Sequence, residues 1–169
     1  MSHDSPPTTN GPFTPRLDYK KEAPGVYKAM DALDEYVAAS GLDSSLVLLV
    51  QLYVSLINGC AYCVDMHWKQ LKAAGESDAR LYSLSVWRES PHYSDRERAA
   101  LMWAEDLTLV TRNHVPDALH RQVSRHFGER NLADLTLAIV AINGWNRLSI
   151  AARLLPGSFR IESASHHSP

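Results

Sequence analysis

Apolar positions along this chain recur at intervals of three and four, and polar turn residues separate one run from the next. Between residues 43 and 58 a stripe passes through Leu46, Val47, Leu49, Val50 and Val54. Asp43 or Ser44 can cap that helix, and Asn58-Gly59, both tolerant of left-handed backbone, ends it. The same punctuation predicts a helix over about residues 25–39 closed by Gly41, and another from about Cys60 to Ala74 closed by Gly75. Ser77 caps a segment through Leu81, Leu84 and Trp87. Ser94-Asp95-Arg96-Glu97 has the S-x-x-E form of a capping box and opens a helix to about Val110. Pro116 suits a first helical position in a helix that ends before Gly128, and a long helix over about residues 131–154 carries Leu135, Ile139, Ile142 and Leu148. No stretch alternates as a half-buried strand does, so the expected fold class is all-α.

The two ends differ from this middle. Residues 1–17, rich in Ser, Pro, Thr, Asn and Gly, read as a flexible or surface-wrapped arm, residues 18–157 as one helical domain, and residues 158–169 as a tail. His166 and His167 in the tail are too few, and too flanked by serine, for a metal site. A chain of 169 residues with 45% hydrophobic composition suffices for one domain with a real core. Its net charge of -2 gives no electrostatic reason to expect nucleic acid or anionic lipid as a partner. No run reads as a membrane span, and the polar start Met1-Ser2-His3-Asp4 lacks a secretory apolar core, so a cytoplasmic location is expected.

The chemistry concentrates in Asn58-Gly59-Cys60-Ala61-Tyr62-Cys63-Val64-Asp65-Met66-His67, which holds both cysteines of the chain. On a helix Cys60, Cys63 and His67 fall at i, i+3 and i+7, along one face. Three readings compete. Two cysteines can be plain core residues, since a free thiol packs as a small hydrophobe. A zinc site would have three ligands and need a fourth from His92, His114, His120 or His126, to which no spacing points; no metal or cofactor is therefore expected. Covalent haem needs a histidine directly after the second cysteine, where Val64 stands. The third reading is a redox dithiol: a helix start lowers a thiol pKa, one turn of separation lets two sulfurs join, and His67 lies within reach as a base. With no βαβ pattern for a thioredoxin fold, spacing alone leads to an all-helical dithiol protein.

The motif, with Leu71-Lys72-Ala73-Ala74-Gly75-Glu76, Trp87-Arg88-Glu89-Ser90, Ser94 to Leu101 and Leu135 to Arg147, resembles the alkylhydroperoxidase AhpD-like proteins of the carboxymuconolactone decarboxylase superfamily over about residues 17–157. The resemblance implies an all-helical subunit with the C-x-x-C pair at the N-terminus of a central helix, assembled as a trimer or hexamer. It implies a peroxiredoxin-type thiol peroxidase of antioxidant defence that reduces alkyl hydroperoxides. Cys63 would attack the peroxide and Cys60 would resolve the sulfenic acid as a disulfide. Cys60, the more exposed of the two, would meet a dithiol reductant, either a lipoyl-type adaptor or a thioredoxin-like protein. His67 would relay the proton. The rival is a non-catalytic or weakly active redox-sensing or disulfide-exchange protein on the same scaffold.

One position departs from the pattern. Peroxidase members of the family carry a glutamate twelve residues before the first cysteine, and here that residue is Leu48. Glu22, Glu35 and Tyr53 are the candidates to replace it. Trp87, Trp103, Trp145 and Met102 read as packing residues, Asn143, Asn146 and Arg147 as packing or a subunit contact, and the remaining histidines as solvated.

Overall fold

The computed structural model describes residues 13–161; the expectations for residues 1–12 and 162–169, including His166 and His167, lie outside the described residues. Among the described residues all regular structure is helical. In chain order these are α1 (Tyr19–Glu22), α2 (Pro24–Ala39), α3 (Ser44–Asn58), α4 (Ala61–Ala73), α5 (Asp78–Ser83), a 3-10 segment (Leu84–Glu89), α6 (Asp95–Thr108), α7 (Val110–Asn113), α8 (Asp117–Ser124) and α9 (Glu129–Ala152).

The boundaries follow local chemistry. The Asp43 carboxylate accepts from Leu46 N–H at 2.8 Å and opens α3, and Gly59 closes it with a left-handed φ of 69°. Ser94 and Glu97 form the expected reciprocal capping box at α6. Pro116 is the cap of α8, one position before its first helical residue. The segment opened by Ser77 does not continue as one helix: Val86, at φ -122° and ψ 29°, leaves helical geometry and the chain tightens into the 3-10 segment.

Helix α9 is the spine, packed against α2, α3, α4, α6 and α8. Contrary to the sequence expectation, it is long and apolar enough to cross a membrane by length and composition, yet much of it lies inside the bundle. Leu135, Ile139 and Ile142 on α9 meet Leu49, Val50 and Leu52 on α3 and Leu101 on α6 in one core. Burying a leucine or isoleucine side chain contributes roughly 2–3 kcal/mol, so this cluster fixes how α3 sits on α9. The approach of α2 to α9 is also close. A Cβ added at Gly144 would lie 2.8 Å from the Met30 terminal methyl, so only glycine leaves that methyl undisturbed. That crossing brings Asp34 of α2 beside Trp145 of α9, whose indole N–H donates to the Asp34 carboxylate at 2.7 Å.

Candidate active site

The cysteine motif folds as a cap and a first turn. Asn58 ends α3, Gly59 turns the chain, and Cys60 takes the N-cap of α4 with extended backbone. Cys63, three residues on, donates its backbone N–H to the Cys60 sulfur at 3.3 Å. The two sulfurs are joined as a disulfide. Cys63, His67 and Leu71 form the buried inward face of α4, the i, i+4, i+8 stripe that a helix imposes. The position of Asn58 is itself pinned. Its side-chain amide donates to Asn143 at 3.0 Å and Asn146 at 2.8 Å, and the Asn146 amide donates to the Ser55 hydroxyl at 3.0 Å. The asparagines of α9 thus lock the cysteine turn to the spine.

His67 is 4% exposed. Burial holds its pKa down at about 4, below the ordinary histidine value of 6.5, while the Gln70 amide opposes that effect. Its Nδ1 lies 2.9 Å from the Gln70 amide oxygen. With that acceptor beside it, Nδ1 carries the hydrogen and Nε2 the lone pair. Nε2 is buried with no hydrogen-bond partner. A neutral imidazole with a free acceptor can take a proton.

Cys63 and His67 line one cavity of about 330 Å³, walled by Tyr27, Tyr62, Met66, Ile142, Trp145 and Phe159 and carrying Lys20, Asp31, Asp34, Gln51 and Ser149. A second cavity of about 450 Å³ shares Met66 and His67 and is lined also by Leu42, Val47, Leu48 and Gln70. Asp34 and Gln51 line both. One Asp34 oxygen accepts from Trp145; the other, Oδ1, is buried without a partner. Burial raises the Asp34 pKa above the ordinary carboxylate range, the Trp145 bond opposes this, and the charge of Asp31 adds to it. A carboxyl of raised proton affinity that lines the same cavities as a neutral imidazole suits proton transfer.

The proposed stand-ins for the missing glutamate lie elsewhere. Glu22 is exposed on α1 and pairs with Lys21 at 3.5 Å. Glu35, one residue from Asp34, points about 100° away around the helix and borders an outer groove with Lys28. The Tyr53 hydroxyl donates to Glu105 at 2.7 Å, toward α6, and Glu105 also accepts from Arg88. Leu48 lines the second cavity together with His67, so the position where the resemblance implies a carboxylate holds an apolar side chain in the same cavity wall. Asp34 is a carboxylate that lines both cavities with His67, and sequence reasoning did not single it out. Its signal is the stripe Tyr27, Asp31, Asp34 at i, i+4, i+7 on α2, all of which line the cavity.

Two further expectations change. Trp145 is a site residue rather than packing alone. Cys60 is no more exposed than Cys63: each is 1% exposed, because Cys60 caps the helix beneath the turn. Trp87 and Trp103 are buried as expected. His92, His114 and His120 are at the surface and His126 is partly buried; among the described residues no three His, Cys, Asp or Glu side chains converge on a metal position.

The family model for the carboxymuconolactone decarboxylase family matches residues 24–106, which include α2, the cysteine turn and His67. The uncharacterised protein YdfG of Bacillus subtilis is 40% identical over 136 residues, covering 80% of this chain and 92% of its own. A crystallised protein of unknown function from Agrobacterium tumefaciens, whose name proposes an AhpD antioxidant defence role, superposes with a TM-score of 0.82 at 40% identity. That match covers 84% of this chain and 97% of the other. The debrominase Bmp8 shares the fold at 16% identity and a TM-score of 0.69, over 81% of this chain and 73% of its own.

Proposed function

The chain belongs to the carboxymuconolactone decarboxylase family, as an AhpD-like all-helical member, and on that premise we propose that it is a thiol peroxidase reducing organic hydroperoxides. The observation that carries the reading is one cavity shared by Cys63, already paired with Cys60, and a neutral His67 with a free Nε2. In the reduced protein His67 Nε2 takes the Cys63 proton. The thiolate attacks one peroxide oxygen, the O–O bond breaks, and the alcohol leaves with a proton passed through His67 and Asp34. Cys60 then attacks the sulfenic sulfur, releasing water and closing the disulfide. Two thiols and one hydroperoxide become one disulfide, one alcohol and one water. The mostly aromatic and apolar walls suit an alkyl or aryl hydroperoxide.

The reading includes a cytoplasmic setting, whose thiol pools would supply the dithiol reductant, and a homo-oligomer, for which exposed Leu56, Val140 and Ile150 offer apolar surface. Leu48 favours the rival, a weakly active redox sensor, because no carboxylate stands at the family's position.

Thiol titration separates the two. One equivalent of cumene hydroperoxide removes both thiols of the reduced protein within seconds if it is a peroxidase; slow or absent loss supports the sensor. Cys63→Ser abolishes peroxide consumption, whereas Cys60→Ser retains a single turnover. The opposite pattern reverses the roles of the sulfurs.

A further inference from the structure

The chemistry at Cys63 leaves the second cavity, of about 450 Å³, without a role. It shares Asp34, Gln51, Met66 and His67 with the Cys63 cavity but has no cysteine in its wall, so the reacting end of a peroxide does not belong there. Its remaining wall is mostly apolar: Val37, Ala38, Leu42, Val47 and Leu48. Packing fixes that wall in place. Val37 and Val47 are buried with Ala138 of α9, Leu42 packs on the same cluster, and Leu48 packs on the main core. Val37 and Ala38 follow Asp34 at i+3 and i+4, so one face of α2 carries both the carboxyl and part of the apolar lining. The glutamate that the resemblance implies at position 48 would put a carboxylate among these side chains, whereas Leu48 keeps the wall apolar.

Charge separates the two directions open to the organic part of a peroxide. The Cys63 cavity carries exposed Lys20 and Asp31 in addition to the residues it shares. In the second cavity the ionisable side chains are Asp34 and His67 alone, both of them shared with the first. An alkyl chain gains most where it covers apolar surface and desolvates no ion. Met66, common to both walls, is an unbranched thioether whose three torsions adapt to a chain lying against it.

We propose that the second cavity is a binding site for the substrate's tail: the peroxy group occupies the Cys63 cavity, and an uncharged, unbranched apolar chain passes Met66 to lie against Val37, Ala38, Val47 and Leu48. The identity of the head rests on the peroxidase reading above; the apolar pocket does not. Leu48 then has a positive role. The side chain that removes a carboxylate from this wall makes room for a hydrocarbon chain, and the chain length of the substrate is read there rather than at the sulfurs.

Calorimetric titration of the oxidised full chain with 1-butanol and 1-octanol reads the pocket without any turnover. Octanol is expected to bind at least about tenfold tighter, and Ala38→Trp, which fills the cavity from an exposed position on α2, to remove most of that difference. Steady-state kinetics with n-butyl and n-octyl hydroperoxide, which share one reacting head, are expected to favour the octyl compound at least about tenfold in kcat/KM, chiefly through KM. In Ala38→Trp that ratio falls toward one, and a general loss of folded enzyme does not imitate the change because both substrates are lost alike. A carboxylate at the end of the chain, in 8-hydroperoxyoctanoate, is expected to cancel the gain, and equal kcat/KM for the acid and the octyl compound overturns the uncharged tail. Equal affinities for the two alcohols overturn the tail site whether or not peroxide is consumed. An octyl preference that survives Ala38→Trp places the chain elsewhere and overturns it as well. If neither hydroperoxide is consumed while octanol still binds preferentially and Ala38→Trp abolishes the preference, the peroxidase reading fails and the apolar pocket stands.

Discussion

Acidification should weaken this protein through His67 by an amount that follows from its burial. Burial holds the imidazole pKa at about 4 in the folded chain against 6.5 for an ordinary histidine. Between those values the unfolded chain binds more protons than the folded one, so stability falls as pH falls through the window and is unaffected by this group well above 6.5. At about 1.4 kcal/mol per pH unit, the gap is worth about 3 kcal/mol once both states are protonated, and about 2 kcal/mol of it is lost between pH 7 and pH 5. His67 is nearly fully buried, so solvent screening takes little from this figure. Other groups titrate in the same range. Asp65 and Glu97 have lowered pKa values and favour folding at higher pH, while that of Asp34 is raised and acts oppositely. The comparison with His67→Gln cancels them. Urea unfolding of the disulfide-intact protein and of the variant, at pH 7, 6 and 5, should show the advantage of the unaltered protein shrinking by about 2 kcal/mol at constant m-value. If both proteins lose the same free energy over that range, His67 is not held neutral by burial and its role as a proton acceptor at neutral pH loses its basis.

Four other outcomes follow from the site. Asp34→Asn, which keeps an acceptor for Trp145 but cannot exchange a proton, should lower steady-state hydroperoxide turnover about 100-fold with little change in the urea midpoint. Glu22→Gln and Glu35→Gln should leave turnover unchanged in the same assay. Adding Leu48→Glu to Asp34→Asn should recover part of the lost rate and raise the acid limb of the pH–rate profile, because a carboxylate then faces His67 from the family's position. Asn58→Ala orphans the buried amide oxygen of Asn146, while that of Asn143 keeps the Arg147 guanidinium as donor, and should cost about 1–3 kcal/mol in urea unfolding, while the pair re-forms its disulfide more slowly after reduction.

The helices that the sequence announces are those whose ends are marked by side chains acting within three residues. Asp43 with Leu46, Ser94 with Glu97, and the positive-φ glycines at 59 and 75 need only local contacts, so the bounds of α3, α4 and α6 are legible without the fold. The break at Val86 is not marked in this way, and the four-residue helices α1 and α7 are too short to show periodicity. The site divides along the same line. Cys60, Cys63, His67 and Gln70 lie on one turn and its continuation, and the first three can be read from spacing. Asp34, Trp145 and Phe159 reach the cavity only because α2 crosses α9 at Gly144 and the C-terminal segment folds back onto α4. Contacts between residues about 110 apart, such as Asp34 with Trp145, leave no periodic trace.

The exchange of carboxylate position has a physical consequence of its own. A glutamate at position 48 would stand on α3, the same helix that leads into the cysteine turn. Asp34 stands instead on α2, held by an indole from α9. The carboxyl is thereby coupled to the α2–α9 crossing and not to the turn that carries the sulfurs. Its Trp145 bond favours the ionised form while burial and Asp31 favour the neutral one. Lys20, on the short helix directly before α2, lies over the Tyr27 ring, and both line the cavity that holds Cys63. A glutamate at position 48 would place the carboxylate on the helix that leads into the cysteine turn; in this chain α2 supplies both the Tyr27 wall of the cavity and the carboxyl of Asp34.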